Sequence, residues 1–193
     1  GLVGGDGATH QGIYDIAYLR TLPHMSIAMP KDAEELQGML KKALELGGPK
    51  AIRWPRGKVK PAEQTAVETW LDIDWGSWEI LKKGTEAYIL TQGAMLEIAL
   101  KAAEHTSQVG VINARFIKPL DTKMLKQLAG STKQFITLED HALDGGFGSA
   151  VAEFLVDNHL SVSLKRLGIP DITVPHGDPE SQYEELGYGL KAL

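Results

Sequence analysis

Residues 2–19 read LVGGDGATHQGIYDIAYL, and this stretch decides the fold because an apolar strand end passes through a glycine-rich loop into a helical pattern. Four glycines between Gly4 and Gly12 frame an acid, a hydroxyl and an imidazole. Glycine permits positive φ and close approach to the backbone. We therefore expect the loop to hold Asp6 and His10 at the mouth of a cleft, beside a helix N-terminus where anions are favoured.

Strand and helix patterns alternate along the rest of the chain in two blocks. In the first block, Asp32 with Glu35 predicts a helix start, and apolar spacing predicts an inward helix face. That face comprises Leu36, Met39, Leu40, Ala43 and Leu44. In the second block, short apolar strands without polar alternation favour a parallel sheet covered on both faces. We predict an α/β fold with an incomplete unit over residues 1–57, a linker over 58–77 and a complete unit over 78–193.

Composition excludes several classes of function. The net charge of −5 without a basic run argues against nucleic acid as a partner. The chain has no cysteine, which excludes disulfides and thiolate chemistry and is consistent with a cytoplasmic setting. No apolar run approaches the roughly 20 residues of a membrane span. Because the chain begins at Gly1 on an apparent strand end, we expect it to be a piece of a longer polypeptide.

Asp6 and His10 are the first candidates for catalysis. Histidine can donate or accept a proton near neutral pH, and Asp6 can orient it or bind a substrate hydroxyl. The alternative is that Asp6 and Thr9 cap the following helix.

Arg53 and Arg56 are the second candidates, because they flank the end of a predicted strand. Ligands of open α/β sheets bind beyond the carboxyl ends of strands, and a guanidinium suits a phosphate or carboxylate. The alternative is a surface ion pair.

A second glycine-rich loop, residues 139–148 (EDHALDGGFG), again follows a predicted buried strand and leads into a helix. It either faces a cleft or partner subunit, or it is a plain strand-to-helix connection. We assign the segment 115–121 (RFIKPLD) a turn and a helix cap. The remaining histidines are predicted to be isolated and exposed: His24, His105, His159 and His176.

These segments together resemble the 1-deoxy-D-xylulose-5-phosphate synthase family of the transketolase superfamily. The resemblance rests on residues 1–15 (GLVGGDGATHQGIYD), 53–57 (RWPRG), 115–121, 137–148 (TLEDHALDGGFG) and 167–171 (LGIPD), in the family's order. It implies the second part of a pyrimidine-binding domain followed by a transketolase-type C-terminal domain.

The family uses thiamine diphosphate and Mg²⁺ to condense pyruvate with glyceraldehyde 3-phosphate, releasing carbon dioxide. The resemblance implies that Asp6 and His10 face the cofactor and that Arg56 holds the acceptor phosphate, with Trp54 standing where tyrosine is commoner. It also implies a homodimer, and an N-terminal portion that supplies most of the cofactor site.

The triplet Gly5-Asp6-Gly7 is not interpreted as a metal motif. In thiamine-diphosphate enzymes such a triplet is followed by an asparagine some thirty residues later, and the window Ala28–Leu36 contains none. We therefore assign no metal ligand to this chain. The rival interpretations are another superfamily member, such as a transketolase or a pyruvate-dehydrogenase beta-type subunit, and a non-catalytic dimerisation module.

Overall fold

The computed structural model describes residues 1–57 and 66–193, so part of the predicted linker, residues 58–65, lies outside the described residues. The α-helices among the described residues are α1 Asp15–Arg20, α2 Ala33–Leu46, α3 Met95–Ala103, α4 Thr122–Ala129, α5 Phe147–Asp157 and α6 Pro179–Glu185. The strands in the same ranges are β1 Ser26–Ala28, β2 Lys50–Ile52, β3 Glu79–Lys82, β4 Ala87–Thr91, β5 Val109–Asn113, β6 Phe116–Lys118, β7 Gln134–Ala142 and β8 Ser163–Ile169. Within this described part of the chain, no helix is long and apolar enough to cross a membrane.

The larger sheet confirms the prediction of parallel strands. Its order is β3-β5-β4-β7-β8, in which β5, β4, β7 and β8 run parallel and β3 adds an antiparallel edge. All five residues of β4 are buried, as expected for a central strand with both faces covered.

The smaller sheet joins the two predicted units. Its order is β2-β1-β6: β1 pairs in parallel with β2 and antiparallel with β6, which lies in the second unit. We predicted a turn and a helix cap for the segment that contains β6. Asp121 does cap α4, accepting a hydrogen bond from Met124 N at 2.8 Å, but the strand itself was missed.

A buried carboxylate also links the units. Asp32 caps α2 as predicted, accepting from Glu35 N at 2.8 Å. The Glu35 side chain is fully buried and accepts hydrogen bonds from Asn113 Nδ2 at 2.9 Å and Arg115 Nη1 at 3.0 Å, both in the second unit. The network satisfies a carboxylate that would otherwise be costly to bury.

The predicted inward face of α2 is only partly correct. Met39 is fully buried, whereas Leu40 is 43% exposed and Leu44 is 84% exposed. The reason is that α2 packs through its Glu35, Gly38 and Met39 side: Leu71 O lies so close to Gly38 that a side chain there would clash. The packed face is therefore offset from the stripe of leucines.

Candidate functional site

The glycine-rich loop is a compact turn that leaves the side chains of Asp6 and His10 at the surface. The amides of Asp6 and Gly7 both donate to Val3 O, at 3.0 and 3.1 Å, and His10 N donates to Gly7 O at 3.0 Å. Gly7 has φ +68°, which favours glycine. His10 is exposed and Asp6 is half-buried, so both side chains remain accessible beside a tightly bonded backbone.

The helix-capping alternative for Asp6 and Thr9 does not hold. Asp6 precedes the short 3₁₀ turn Gly7–Thr9 without a capping hydrogen bond from its side chain. Helix α1 begins later, and its Ile16 amide donates to His141 Nε2 at 3.1 Å. Thr9 Oγ1 lies instead 3.0 Å from His10 Nδ1.

The structure brings Asp6 and Arg56 together. Arg56 Nη1 forms an ion pair with Asp6 Oδ2, and the Arg56 side chain is 68% exposed. An exposed pair of this kind is worth little by itself, so the guanidinium can exchange the carboxylate for a better anionic partner. The strand end predicted just before the loop is not observed, because Leu2 and Val3 are not in a strand.

Arg53, three residues before Arg56, is used differently. Its side chain is only 8% exposed. It donates from Nε to Asp15 Oδ2 at 2.5 Å and from Nη2 to Asp15 Oδ1 at 3.1 Å and Gly12 O at 3.0 Å. Burial alone would raise the pKa of the Asp15 carboxyl, but the hydrogen bond and charge of Arg53 outweigh it and lower that pKa. Arg53 therefore fixes the end of the loop rather than facing a ligand.

In the second glycine-rich loop, the side chains of Glu139 and Asp140 are buried and hydrogen-bond to the surrounding fold. Glu139 is fully buried and accepts from Phe147 N at 2.6 Å and Gly148 N at 2.9 Å, so it caps α5. Burial raises the pKa of the Glu139 carboxyl to about 7, against the opposing effect of those two amides. Asp140 accepts from Leu2 N at 3.0 Å and from Tyr188 Oη at 3.2 Å.

His141 is fully buried between the two loops. Nδ1 lies 2.7 Å from Ala142 O, which makes Nδ1 the donor and leaves Nε2 to accept from Ile16 N. Burial lowers the pKa of His141 to about 4, so the ring is neutral at neutral pH. The interpretation of residues 139–148 as a strand-to-helix connection therefore fits, and the cleft-facing interpretation does not fit residues 139–141.

One contact was missed by sequence reasoning. A Cβ placed on Gly7 would lie 2.5–2.6 Å from Cε1, Nδ1 and Nε2 of His176. Three nearly equal distances mean that the face of the imidazole lies on Gly7. His176 is exposed, as predicted, but it is not isolated. No pattern in the sequence pointed to this contact, because the two residues are far apart along the chain.

A cavity of about 750 Å³ lies beside Trp54, Pro55 and Gly57. Its lining is mostly apolar and includes Trp54, Pro55 and residues of α3 such as Leu96 and Leu100. Asp6 and His10 do not line it. The candidate site is therefore the open surface around the glycine-rich loop.

The available donor groups limit what this surface can hold. Across residues 1–57 and 66–193, no group of three or more His, Asp or Glu side chains is placed to hold a metal ion. The surface around the loop instead has the accessible imidazole of His10, the half-buried carboxylate of Asp6 and the accessible guanidinium of Arg56. That set of side chains fits proton transfer and anion binding.

The chain is similar to known proteins along its whole length. Residues 1–61 match the family model "Transketolase, pyrimidine binding domain", and residues 76–193 match "Transketolase, C-terminal domain". The chain is 54% identical over 193 residues to a 1-deoxy-D-xylulose-5-phosphate synthase of Thermus thermophilus, covering 100% of this chain and 31% of that protein. The synthase of Halalkalibacterium halodurans is 48% identical over 193 residues, covering 97% of this chain and 30% of its own length. The chain thus spans about a third of these relatives.

Solved structures show the same fold. A protein described as "Split gene transketolase, inactive beta4 tetramer" superposes with a TM-score of 0.79 at 31% identity, covering 96% of this chain and 60% of that one. The transketolase of Leishmania mexicana gives a TM-score of 0.74 at 19% identity, covering 98% of this chain and 27% of its own. The second likeness concerns the fold alone.

Proposed function

Because this chain belongs to the transketolase family, we propose that it is part of a thiamine-diphosphate-dependent 1-deoxy-D-xylulose-5-phosphate synthase. The observation that carries the proposal is the 54% identity to such a synthase along all 193 residues. The enzyme would decarboxylate pyruvate and join the remaining two carbons to glyceraldehyde 3-phosphate. In this proposal residues 1–57 belong to the pyrimidine-binding domain, 58–77 to a linker and 78–193 to the C-terminal domain.

His10 is proposed as the proton-transferring group. Its imidazole is exposed on a loop with an ordered backbone, and histidine side chains commonly serve as proton donors and acceptors in catalysis. His10 would move a proton at the carbonyl oxygen of the substrates or stabilise charge there. Asp6, in the same loop, would hold substrate hydroxyls and keep Arg56 oriented.

Arg56 is proposed to bind the phosphate of glyceraldehyde 3-phosphate. The exposed pair with Asp6 keeps the guanidinium near the loop when substrate is absent. A phosphate group carries more negative charge and more acceptor oxygens than the single carboxylate of Asp6. Binding energy from this remote group would orient the aldehyde for reaction.

Thiamine diphosphate, when bound, supplies the electron sink for decarboxylation. Because the described residues include no cluster of metal ligands, Mg²⁺ and the diphosphate would be held by the part of the synthase outside this chain. We further propose a homodimer of the complete enzyme, acting in the cytoplasm, where a chain without cysteine is at no disadvantage.

The test is an assay of the complete synthase that contains this chain, with thiamine diphosphate and Mg²⁺. Pyruvate with glyceraldehyde 3-phosphate should give carbon dioxide and 1-deoxy-D-xylulose 5-phosphate. Ketose donors and a lipoyl carrier serve as matched alternative substrates. Preferential turnover of ketose donors would establish a transketolase instead, and turnover with the lipoyl carrier a dehydrogenase-type subunit. Absence of all three activities in a folded, cofactor-binding protein would overturn the proposal.

A further inference from the structure

We propose that the C-terminal unit positions the glycine-rich loop for catalysis and that His176 is a positioning residue; this rests on the proposed function. The C-terminal unit contributes no group to the proposed chemistry. Its residues nevertheless contact the loop at its beginning, middle and end.

The middle contact is the one made by His176. Its ring face lies on Gly7, the residue between Asp6 and the Ala8–His10 segment. Since His10 N donates to Gly7 O at 3.0 Å, a shift of Gly7 is transmitted to His10. The same shift would break the hydrogen bond from Gly7 N to Val3 O, on which the position of Asp6 depends.

The segment that carries His176 is itself firmly held. Val174 is buried in the core, and Gln182 Nε2 donates to Pro175 O at 2.7 Å. Asp178 caps α6 by accepting from Ser181 N at 3.0 Å. Gly177 N donates to Gly4 O at 3.2 Å, so backbone bonding and ring contact act on the loop together.

The two ends of the loop are held from the same unit. Asp140 accepts from Leu2 N before the loop, and His141 accepts from Ile16 N after it. Both side chains are buried, so these contacts fix the ends strongly. The exposed pair between Asp6 and Arg56 contributes little rigidity by comparison. Between these ends, the C-terminal unit contacts the loop through the His176 ring on Gly7 and the bond from Gly177 N to Gly4 O.

The experiment compares three variants in the complete synthase: His176→Ala, His176→Phe and the control His105→Ala. His105 has a side chain 92% exposed and lies at the end of α3. Thermal unfolding, hydrogen exchange of residues 3–12 and steady-state kinetics are measured for each variant. His176→Phe keeps a flat ring over Gly7 but cannot transfer a proton, so it separates packing from chemistry.

With His176→Ala we expect about tenfold lower kcat and about tenfold faster exchange at the amides of Asp6, Gly7 and His10. The Tm should equal that of His105→Ala, and His176→Phe should restore most of the activity and protection. Wild-type kinetics and exchange in His176→Ala would overturn the proposal. So would a His176→Phe variant as impaired as His176→Ala, because the ring would then act chemically.

The exchange measurement separates this proposal from the proposed function. If the wild-type protein lacks synthase activity while His176→Ala still loosens residues 3–12, the proposed function fails and the contact role of His176 stands. If the wild-type protein is an active synthase and His176→Ala matches it in both readouts, the positioning role fails and the function stands.

Discussion

The two glycine-rich loops are similar in sequence, but their polar side chains differ in burial. Residues 4–12 and residues 139–148 each combine an acid, a histidine and glycines, and each leads to a helix. In the first loop His10 is exposed and Asp6 half-buried. In the second, Glu139 and His141 are fully buried and both bond to backbone amides.

The difference arises from where each loop sits relative to a sheet. Strand β7 continues to Ala142 with an irregular register after Leu138, so residues 139–141 still lie inside the larger sheet. Polar groups buried there must find partners, and they find them at α5, at Leu2 and at α1. The first loop lies outside both sheets; its His10 side chain is exposed, and its Asp6 pairs with the exposed Arg56. Burial, more than composition, separates the polar residues bonded inside the fold from those that we propose for function.

Replacing His10 tests the functional side of this comparison and should have the largest effect. In the complete synthase, His10→Ala should lower kcat by at least about a hundredfold, because general acid–base catalysis is lost. The fold should be unaffected, since the side chain is exposed. Steady-state kinetics with circular dichroism measures both, with His105→Ala as the control. Wild-type turnover in a folded His10→Ala protein would contradict the role.

Replacing Asp140 tests the structural side. The two oxygens of the buried Asp140 carboxylate accept from Leu2 N and Tyr188 Oη. Asp140→Asn replaces one of these acceptors with an NH2 donor, which should cost about 2 kcal/mol of unfolding free energy, or roughly 4–8 °C in Tm. Asp6→Asn, the matched change in the other loop, should stay within about 0.5 kcal/mol. Thermal unfolding measures the loss of unfolding free energy in each variant. Equal losses in Asp140→Asn and Asp6→Asn would contradict the proposed difference between the loops.

Arg53 and Arg56, three residues apart, differ in the same way: Arg53 is buried in a structural ion pair, and Arg56 is exposed. Arg56→Ala should raise the KM for glyceraldehyde 3-phosphate about tenfold, the effect of losing one charge-assisted contact, with Tm unchanged. Arg53→Ala should instead lower Tm, because it leaves the Asp15 carboxylate partly buried without its partner. An unchanged KM in Arg56→Ala would contradict the proposed role of Arg56 in binding the substrate phosphate.

The last test of the comparison concerns pH. The pKa of Glu139, about 7, lies above its ordinary 4.5, so its contribution to stability is present below pH 4.5 and is lost as pH rises to about 7. The pKa of His141, about 4, lies below its ordinary 6.5, so its contribution is present above pH 6.5 and is lost as pH falls to about 4. The two slopes oppose each other between pH 4.5 and 6.5.

Glu139→Gln removes only the first of these slopes. The unfolding free energy of this variant should therefore rise more steeply with pH than that of the wild type between pH 4.5 and 7. Urea unfolding at a series of pH values measures it, and Glu68→Gln, at an exposed position, serves as the control. Parallel curves for Glu139→Gln and the wild type would contradict the opposing titrations.

Sequence reasoning predicted the parts of the fold that depend on local patterns. Apolar strands such as β4 and the caps at Asp32 and Asp121 follow from neighbouring residues and were found. Strand β6 was missed because its pairing with β1 joins residues about ninety positions apart. The site followed the same rule: the loop with Asp6 and His10 was recognisable, whereas the contact of His176 with Gly7 depends on tertiary packing.

The antiparallel pairing of β1 with β6 has a consequence for any attempt to isolate the first unit. β1 is a central strand only because β6 covers one of its edges, and its Ile27 and Ala28 are fully buried. A chain cut after Gly57 would present a bare strand edge with apolar side chains beside it. Such edges pair with other chains, so the excised first unit should aggregate rather than remain monomeric.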